Sequence, residues 1–332
     1  MKSNKLIDNN NRIINYLRLS ITDRCNLRCI YCMPENGIDF VPHSEILRFE
    51  EILKIVRLSV RKGIRKVRLT GGEPLVRKGL VHFLKKLNDI ENLEEITLTT
   101  NGVLLKELAA GIKENGIKRV NISLDSLKPE RFFRITGRDW FDRVWEGIQE
   151  VDRLGFFPIK INVVALKGVN DDEIMDFARL TLDKPYTIRF IEHMPIGVRN
   201  GWDSNGFLSC DEIHKVIQQL GTLNPIRKRN ILDGPARRFC LEGAKGEIGL
   251  ISALSNHFCM ICNRLRLTAE GHLRSCLFSD EEIDIKSPLR SGKKDDYLME
   301  LIETAIKKKP KDHGMMKLRR RTCERQMSRI GG

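Results

Sequence analysis

The chain has 332 residues, of which 41% are hydrophobic and 31% charged, and its formal net charge is +14. This size is sufficient for one large domain and a smaller one around a substantial core. No run of about 18 apolar residues predicts a membrane span, and nine cysteines without an apolar leader favour a reducing cytoplasm. We therefore exclude a membrane protein and a secreted disulfide scaffold.

Short β-branched segments alternate with amphipathic helical segments, which predicts parallel strands joined by right-handed crossovers. Six strands indicate an α/β fold, an incomplete (β/α)6 TIM-like barrel followed by a smaller C-terminal domain. We expect the domains to span 1–198 and 199–332. The predicted strands are 15–22, 66–70, 94–100, 118–124, 158–165 and 186–193. The predicted helices are about 49–62, 77–88, 103–114, 140–153 and 170–181.

Three cysteines, Cys25, Cys29 and Cys32, follow the first strand at the spacing Cys-x3-Cys-x2-Cys. An iron-sulfur cluster is ordinarily held by four thiolates, so three leave one iron open to a small molecule. Zinc sites typically use paired Cys-x2-Cys units with later Cys or His ligands, and none stands near this loop. The spacing predicts an iron-sulfur cluster that takes part in chemistry.

Each predicted strand has one polar face. Helices covering a barrel need the apolar face, so we expect the polar face to line the interior. A wet open sheet is the alternative, but cations on several parallel strands are costly to bury without anionic partners. Arg18, Arg68 and Lys160 suggest phosphates. The polar residues are Tyr16, Arg18, Ser20, Arg68, Thr70, Thr97, Thr99, Asn121, Ser123, Asp125, Lys160 and Asn162.

A glycine pair, Gly71 and Gly72, ends the second strand and precedes Glu73 and Pro74. Glycines at the carboxyl end of a parallel strand let the backbone approach a ligand closely. A Gly-Gly-Glu-Pro segment by itself is more often a turn than a site.

A second cysteine triad, Cys259, Cys262 and Cys276, has the spacing Cys-x2-Cys-x13-Cys. Here a zinc site is a stronger alternative, because His257 or His272 could complete a tetrahedral set. Given the first loop, we favour a second iron-sulfur cluster.

The segment that follows Cys262 reads as a strand with Arg264 and Arg266 on one face, beside the metal. Cations there indicate a pocket for an anionic substrate. Cys210, Cys240 and Cys323 lack such spacing and are expected to be buried or inert.

The C-terminal segment holds more than half of the excess positive charge. Residues 307–332 contain ten Lys or Arg against two acidic residues, a net charge of +8. No Phe, Tyr or Trp is interleaved, so the stacking surface of single-strand binders is missing. We expect a solvated face or a small anionic ligand, and no nucleic acid. The sequence alone favours a frayed end for Gly331 and Gly332.

Seven motifs in this order resemble those of the GTP 3′,8-cyclases, a radical S-adenosylmethionine family of molybdenum cofactor biosynthesis, nearly end to end. They are Asp-Arg-Cys-Asn-x-Arg-Cys-x-Tyr-Cys-Met-Pro at 23–34, Arg-Leu-Thr-Gly-Gly-Glu-Pro at 68–74, Thr-Thr-Asn-Gly at 99–102, Ser-Leu-Asp-Ser at 123–126, Met-Pro-Ile-Gly at 194–197, Cys-Asn-Arg-x-Arg-Leu at 262–267 and Gly-Gly at 331–332.

The resemblance implies two [4Fe-4S] clusters, held by Cys25, Cys29 and Cys32 and by Cys259, Cys262 and Cys276. It implies S-adenosylmethionine contacts from Tyr31, Gly72, Ser123 and Met194. It implies GTP contacts from Arg18, Arg68, Thr99, Lys160, Arg264, Leu265 and Arg266. Arg264, Arg266, Gly331 and Gly332 are implied as catalytic, the two glycines as a tail that reaches into the pocket.

The implied reaction is radical cyclisation. A 5′-deoxyadenosyl radical removes hydrogen from C3′ of GTP, C3′ attacks C8 of guanine, and an electron and a proton complete (8S)-3′,8-cyclo-7,8-dihydroguanosine 5′-triphosphate. The implied partners are a reduced electron donor of unknown identity and the downstream cyclic pyranopterin monophosphate synthase. A homodimer is compatible with the resemblance, but the sequence does not determine the oligomeric state.

Two alternatives stay open at this point. A radical enzyme that acts on a peptide or RNA would also carry an auxiliary cluster, although peptide modification favours seven or more cysteines in that region. A zinc-stabilised nucleic-acid binding module would contain zinc and neither iron nor sulfide.

Overall fold

A computed structural model of the protein describes residues 5–33, 37–197, 206–227, 232–314, 323 and 325–331. The strands are β1 (Tyr16–Ser20), β2 (Lys66–Thr70), β3 (Glu95–Thr100), β4 (Val120–Ser123), β5 (Lys160–Ala165), β6 (Thr187–Glu192), β7 (Leu223–Pro225), β8 (Arg237–Leu241), β9 (Glu247–Ile251), β10 (Arg264–Leu267), β11 (His272–Arg274) and β12 (Ile283–Asp284). The helices are α1 (Phe49–Lys62), α2 (Leu80–Asn88), α3 (Leu105–Glu114), α4 (Pro129–Thr136), α5 (Phe141–Arg153), α6 (Ile174–Asp183), α7 (Cys210–Ile217), α8 (Lys286–Arg290), α9 (Asp295–Lys307) and α10 (Met327–Ile330).

Strands β1 to β6 lie side by side in chain order, and each neighbouring pair is parallel. The predicted α/β partial barrel is confirmed, and all six predicted strands and five predicted helices are present with ends shifted by a few residues. Sequence analysis missed α4, which lies between β4 and α5.

The C-terminal strands extend this sheet at both edges. β10 pairs in parallel with β1, and β9 pairs in parallel with β6. An unclosed barrel leaves unpaired backbone groups on its two edge strands, and these additional strands satisfy them. The proposed domain boundary near 198 falls in 198–205, outside the described residues, so the division into 1–198 and 199–332 stays a prediction.

The apolar phase of the strands packs under the helices. Leu17, Leu19, Val67 and Leu69 are fully buried together with the inner face of α1. Alternate residues of a strand point to opposite sides, so the polar phase is left for the interior of the barrel. Across the described residues, the helices are all too short or too polar to span a membrane.

Candidate active site

One cavity of about 310 Å³ lies inside the curved sheet and is lined by residues of both cysteine triads. The first triad follows the carboxyl end of β1, whereas Cys262 precedes the amino end of β10. Because β1 and β10 are parallel neighbours, the triads lie toward opposite ends of these strands. The five residues of β1 span about 13 Å at roughly 3.3 Å per residue. Strand side chains therefore lie between two candidate metal sites.

The first triad is held close to the protein backbone. The amides of Cys32 and Met33 donate to the carbonyl of Cys29 at 2.9 and 3.0 Å, and the amide of Leu27 donates to Cys25 Sγ at 3.4 Å. Burial, reinforced by Glu73, raises the pKa of Cys25 to about 11. Burial and the other two thiols raise the pKa of Cys29 well above its usual range. As thiolates, these three cysteines repel one another. A cationic iron-sulfur core would offset that repulsion and displace the thiol protons.

The glycine pair is packed against the cysteine loop. Gly72 N–H donates to the carbonyl of Thr22 at 2.7 Å, and Glu73 N–H donates to that of Arg24 at 2.7 Å. A Cβ at Gly72 would lie 2.2 Å from the carbonyl oxygen of Arg24, and one at Gly71 would lie 2.4 Å from that of Thr22. Only glycine allows this approach.

Two buried carboxylates hold the surrounding loops. Glu73 accepts from Leu75 N–H at 2.9 Å, Thr100 Oγ1 at 2.7 Å and Asn101 N–H at 2.6 Å, while burial raises its pKa to about 7. Asp125 accepts from the hydroxyl of Tyr31 at 2.5 Å, and burial raises its pKa to about 6. Tyr31, which lies between Cys29 and Cys32, is thereby hydrogen-bonded to the segment that follows β4.

Cations occupy adjacent positions across three strands. In register, Arg18 lies between Arg266 and Arg68, and Tyr16 lies between Arg264 and Lys66. Burial lowers the pKa of Arg18 to about 10, with Arg68 and Arg264 acting in the same direction. Like charges on neighbouring strands destabilise the sheet. This row is therefore consistent with the predicted site for an anionic ligand.

A second cavity, of about 200 Å³, is lined by Lys160 and four further cations. These are Arg119, Arg189, Arg238 and Lys245, which outnumber the acids Asp233 and Glu247. Arg189 lines both cavities, so the cationic surface is continuous between them. Lys160 thus lies beside the main cavity and not among its lining residues.

Replacing Lys160 with methionine is expected to flatten the pH dependence of stability. Burial, assisted by Arg189, lowers the pKa of Lys160 to about 6, whereas an unfolded lysine titrates near 10.5. At pH values between these two, Lys160 is protonated in the unfolded chain and neutral in the folded protein. Its contribution therefore makes the free energy of unfolding rise with pH, by up to about 1.4 kcal/mol per pH unit. We expect the melting temperature to rise less steeply from about pH 6.5 to 8.5 in Lys160→Met. Exposed Lys167→Met should match the wild type, and equal slopes in all three proteins would contradict the effect.

The second triad has a more cationic environment. Burial alone would raise the pKa of Cys262, but Arg264 and Lys309 lower it to about 6. The ligand atoms of His257, Cys259 and His313 lie within 4.8 Å of one another. His272 instead lies 3.9 Å from Glu282. Three thiolates are the donor set expected of an iron-sulfur cluster with one open iron, and the two histidines beside Cys259 keep a zinc site open as an alternative.

The C-terminal tail reaches the arginine row. The carbonyl of Gly331 accepts from Arg266 at 2.5 Å and from Arg18 at 3.3 Å. Gly331 itself is buried, with φ of 69°, and a Cβ there would lie 3.1 Å from Thr70 Oγ1. The frayed end favoured by sequence is wrong for Gly331, because the arginines bind its carbonyl. Gly332 and 317–321 lie outside the described residues.

Most predicted site residues converge on the main cavity. Its lining includes Tyr31, Gly72, Ser123, Met194, Arg18, Arg68, Thr99, Arg264, Arg266 and all six triad cysteines. Leu265 differs, because its side chain packs in the apolar core on the other face of β10. Arg189 was missed, although it occupies the polar phase of β6 and is 8% exposed. The alternation of polar and apolar residues along β6 is the sequence signal that predicts an inward position for Arg189.

Two sequence profiles match the chain, Radical SAM superfamily over residues 19–181 and Molybdenum Cofactor Synthesis C over residues 186–315. The curated GTP 3′,8-cyclase of Desulforamulus reducens is 50% identical over 327 residues, covering 98% of this chain and 100% of the relative. The GTP 3′,8-cyclase of Thermodesulfovibrio yellowstonii is 52% identical over 327 residues, covering 98% and 99%. This chain belongs to the GTP 3′,8-cyclase family.

The family prediction from sequence is thereby confirmed. A solved structure of Streptococcus suis SuiB bound to S-adenosylmethionine supports the fold, with a TM-score of 0.60 at 14% identity, covering 96% of this chain and 78% of SuiB. Membership of the radical S-adenosylmethionine superfamily brings S-adenosylmethionine and an iron-sulfur cluster as cofactors.

Proposed function

We propose that the chain converts GTP to (8S)-3′,8-cyclo-7,8-dihydroguanosine 5′-triphosphate, the first step of molybdenum cofactor biosynthesis. The observation that carries this proposal is the row of arginines across β10, β1 and β2, in a cavity that both cysteine triads line. A nucleoside triphosphate supplies the negative charge that this row lacks.

In this proposal each triad has its own ligand. Cys25, Cys29 and Cys32 would hold the first [4Fe-4S] cluster, and Cys259, Cys262 and Cys276 would hold a second beside the guanine. Tyr31, Gly72, Ser123 and Met194 contact S-adenosylmethionine. When bound, S-adenosylmethionine and the first cluster would supply the radical chemistry that activates C3′ of the ribose for cyclisation.

The chain itself binds, orients and shields the substrate. Arg18, Arg68, Thr99, Lys160, Arg264 and Arg266 contact GTP, with Arg189 added by its position between the two cavities. Leu265 contributes through its backbone only, because its side chain is in the core. Gly331 accepts hydrogen bonds from Arg18 and Arg266 and orients their guanidinium groups. The same catalytic role for Gly332 remains a prediction.

Anoxic incubation with dithionite, S-adenosylmethionine and either GTP or ATP tests the substrate. We expect 5′-deoxyadenosine and a cyclised nucleotide with GTP only, since the open iron and the arginines must both be engaged. Chromatography with mass spectrometry measures both products. Equal cyclisation of ATP would refute the substrate assignment.

The contact between Gly72 and the cysteine loop predicts a large effect of a single methyl group. Gly72→Ala is expected to lose most 5′-deoxyadenosine formation, because the added Cβ would displace Arg24 and the loop that carries Cys25. Gly111→Ala in α3 is the matched control, since the added Cβ would lie 3.4 Å from the side chain of Val81 in α2, an ordinary van der Waals distance. Wild-type radical formation in Gly72→Ala would contradict the proposed packing role.

Metal analysis decides between the two interpretations of the second triad. Anoxically purified protein is expected to hold iron and sulfide in amounts equal to two [4Fe-4S] clusters. Zinc bound instead at Cys259 with His257 and His313 would favour the zinc alternative.

Three partner assignments stay predictions. They are an electron donor, transfer of the product to cyclic pyranopterin monophosphate synthase, and a homodimer. Light scattering after gel filtration measures the last directly.

A further inference from the structure

Lys309 lies buried beside the second cysteine triad, with 5% of its surface exposed. Its ammonium donates to the carbonyl of Arg264 at 2.8 Å and to the carbonyl of Ser275 at 2.5 Å. Arg264 follows Cys262 by two residues, and Ser275 directly precedes Cys276. The ammonium therefore joins the two backbone segments that carry these cysteines.

Within the part of the chain that the structure describes, no carboxylate pairs with Lys309. Among the described residues its hydrogen bonds go to carbonyls, whereas adjacent Lys308 pairs with Glu281 at 2.6 Å. Burying a lone ammonium is costly even when carbonyls bond it. Cys262 and Cys276 act on it electrostatically, and their sulfur atoms carry negative charge as thiolates when they hold a metal cluster. The balancing anion is thus the triad itself.

The two triads differ in the balance of their charged neighbours. Glu73 and Asp125 act on the first triad, with Arg28 opposing them at Cys25. Arg264 and Lys309 act on Cys262 of the second triad, with Asp312 opposing them at Cys259. A [4Fe-4S] core on three thiolates goes from one negative charge to two when an electron enters. A nearby cation favours the reduced form, and a nearby anion opposes it.

We propose that Lys309 raises the reduction potential of the second cluster through its buried charge. This inference rests on the two-cluster function proposed above. It makes Lys309 a positioning residue, since it touches backbone carbonyls and neither a cysteine ligand nor the substrate.

The test is a dithionite titration of the loaded full-length enzyme, followed by electron paramagnetic resonance. In Lys309→Met the midpoint of the second cluster is expected to fall by at least about 59 mV, a tenfold change in a one-electron equilibrium. The first cluster is the internal control and should keep its midpoint. Lys308→Met is the matched surface control, and Lys309→Arg should keep the potential because it keeps the charge.

An unchanged second midpoint in Lys309→Met, or the same shift in Lys308→Met, would overturn the inference. Loss of iron from the second site of Lys309→Met would also overturn it, because the residue would then be a structural clamp only. A wild-type protein with a single cluster would instead refute the two-cluster proposal. Iron analysis of the wild type, made first, separates these failures.

Discussion

Arg266→Ala is expected to reduce cyclised nucleotide formation by about 10²- to 10³-fold, the range for removing one preorganised donor in a buried site. Arg266 is 5% exposed, lines the cavity and stands in register with Arg18. Its loss removes a hydrogen bond to Gly331 and, in the proposed function, a contact with GTP. Burial and the like charges of Arg18 and Arg264 lower the pKa of Arg266 well below its usual range, so the ligand-free fold gains nothing from this charge.

Iron content and melting temperature should therefore match the wild type in Arg266→Ala. Product formation is measured by chromatography under single-turnover conditions. Arg237→Ala removes an exposed strand arginine paired with Asp211 and serves as the control. Arg266→Lys should recover part of the activity, because an ammonium lacks the planar fork. Loss of iron from Arg266→Ala would show a structural role.

Arg274→Met is expected to lower the free energy of unfolding by about 3 to 5 kcal/mol, the usual cost of breaking a buried ion pair. The Arg274 side chain is fully buried, forms a close ion pair with Glu282 and donates to Cys323 Sγ at 3.2 Å. Cys323 in turn accepts Gly197 N–H at 2.8 Å through its carbonyl. The substitution therefore removes one of the two arginine partners of Glu282 and the hydrogen bond that anchors Cys323.

Urea unfolding of the anoxic protein measures this loss. Arg153→Met is the control, because the pair of Arg153 with Glu150 is exposed on α5 and should contribute less than about 1 kcal/mol. A similarly small loss for both variants would contradict the importance of burial.

Local sequence patterns predicted the strands well, because a strand needs only a few alternating residues. The missed helix α4 has 8 residues and starts at Pro129, with Gly137 as its C-cap. So short a segment shows barely two turns of the helical period, and its Pro and Gly boundaries resemble those of a loop.

The charged C-terminal segment was less predictable. Composition predicts a solvated face or a small anionic ligand for this segment, yet Lys309 is buried beside the second triad and Arg325 pairs with Glu282 at 2.7 Å. Composition gives the net charge of a segment but does not predict which negatively charged groups lie beside it in the folded protein. Lys308, adjacent in sequence to Lys309, is half-exposed.

The sequence by itself determined the two cysteine triads, the polar phase of the barrel strands and the family, because spacing and alternation are local properties. Only the tertiary structure decided that Arg266 lies beside Arg18 and Arg18 beside Arg68, that Lys160 faces a second cavity, and that Gly331 reaches the arginines. These contacts join residues far apart in the chain. The Arg266–Arg18 neighbours depend on β10 pairing with the free edge of β1, a register that long-range backbone hydrogen bonds select and no local pattern encodes.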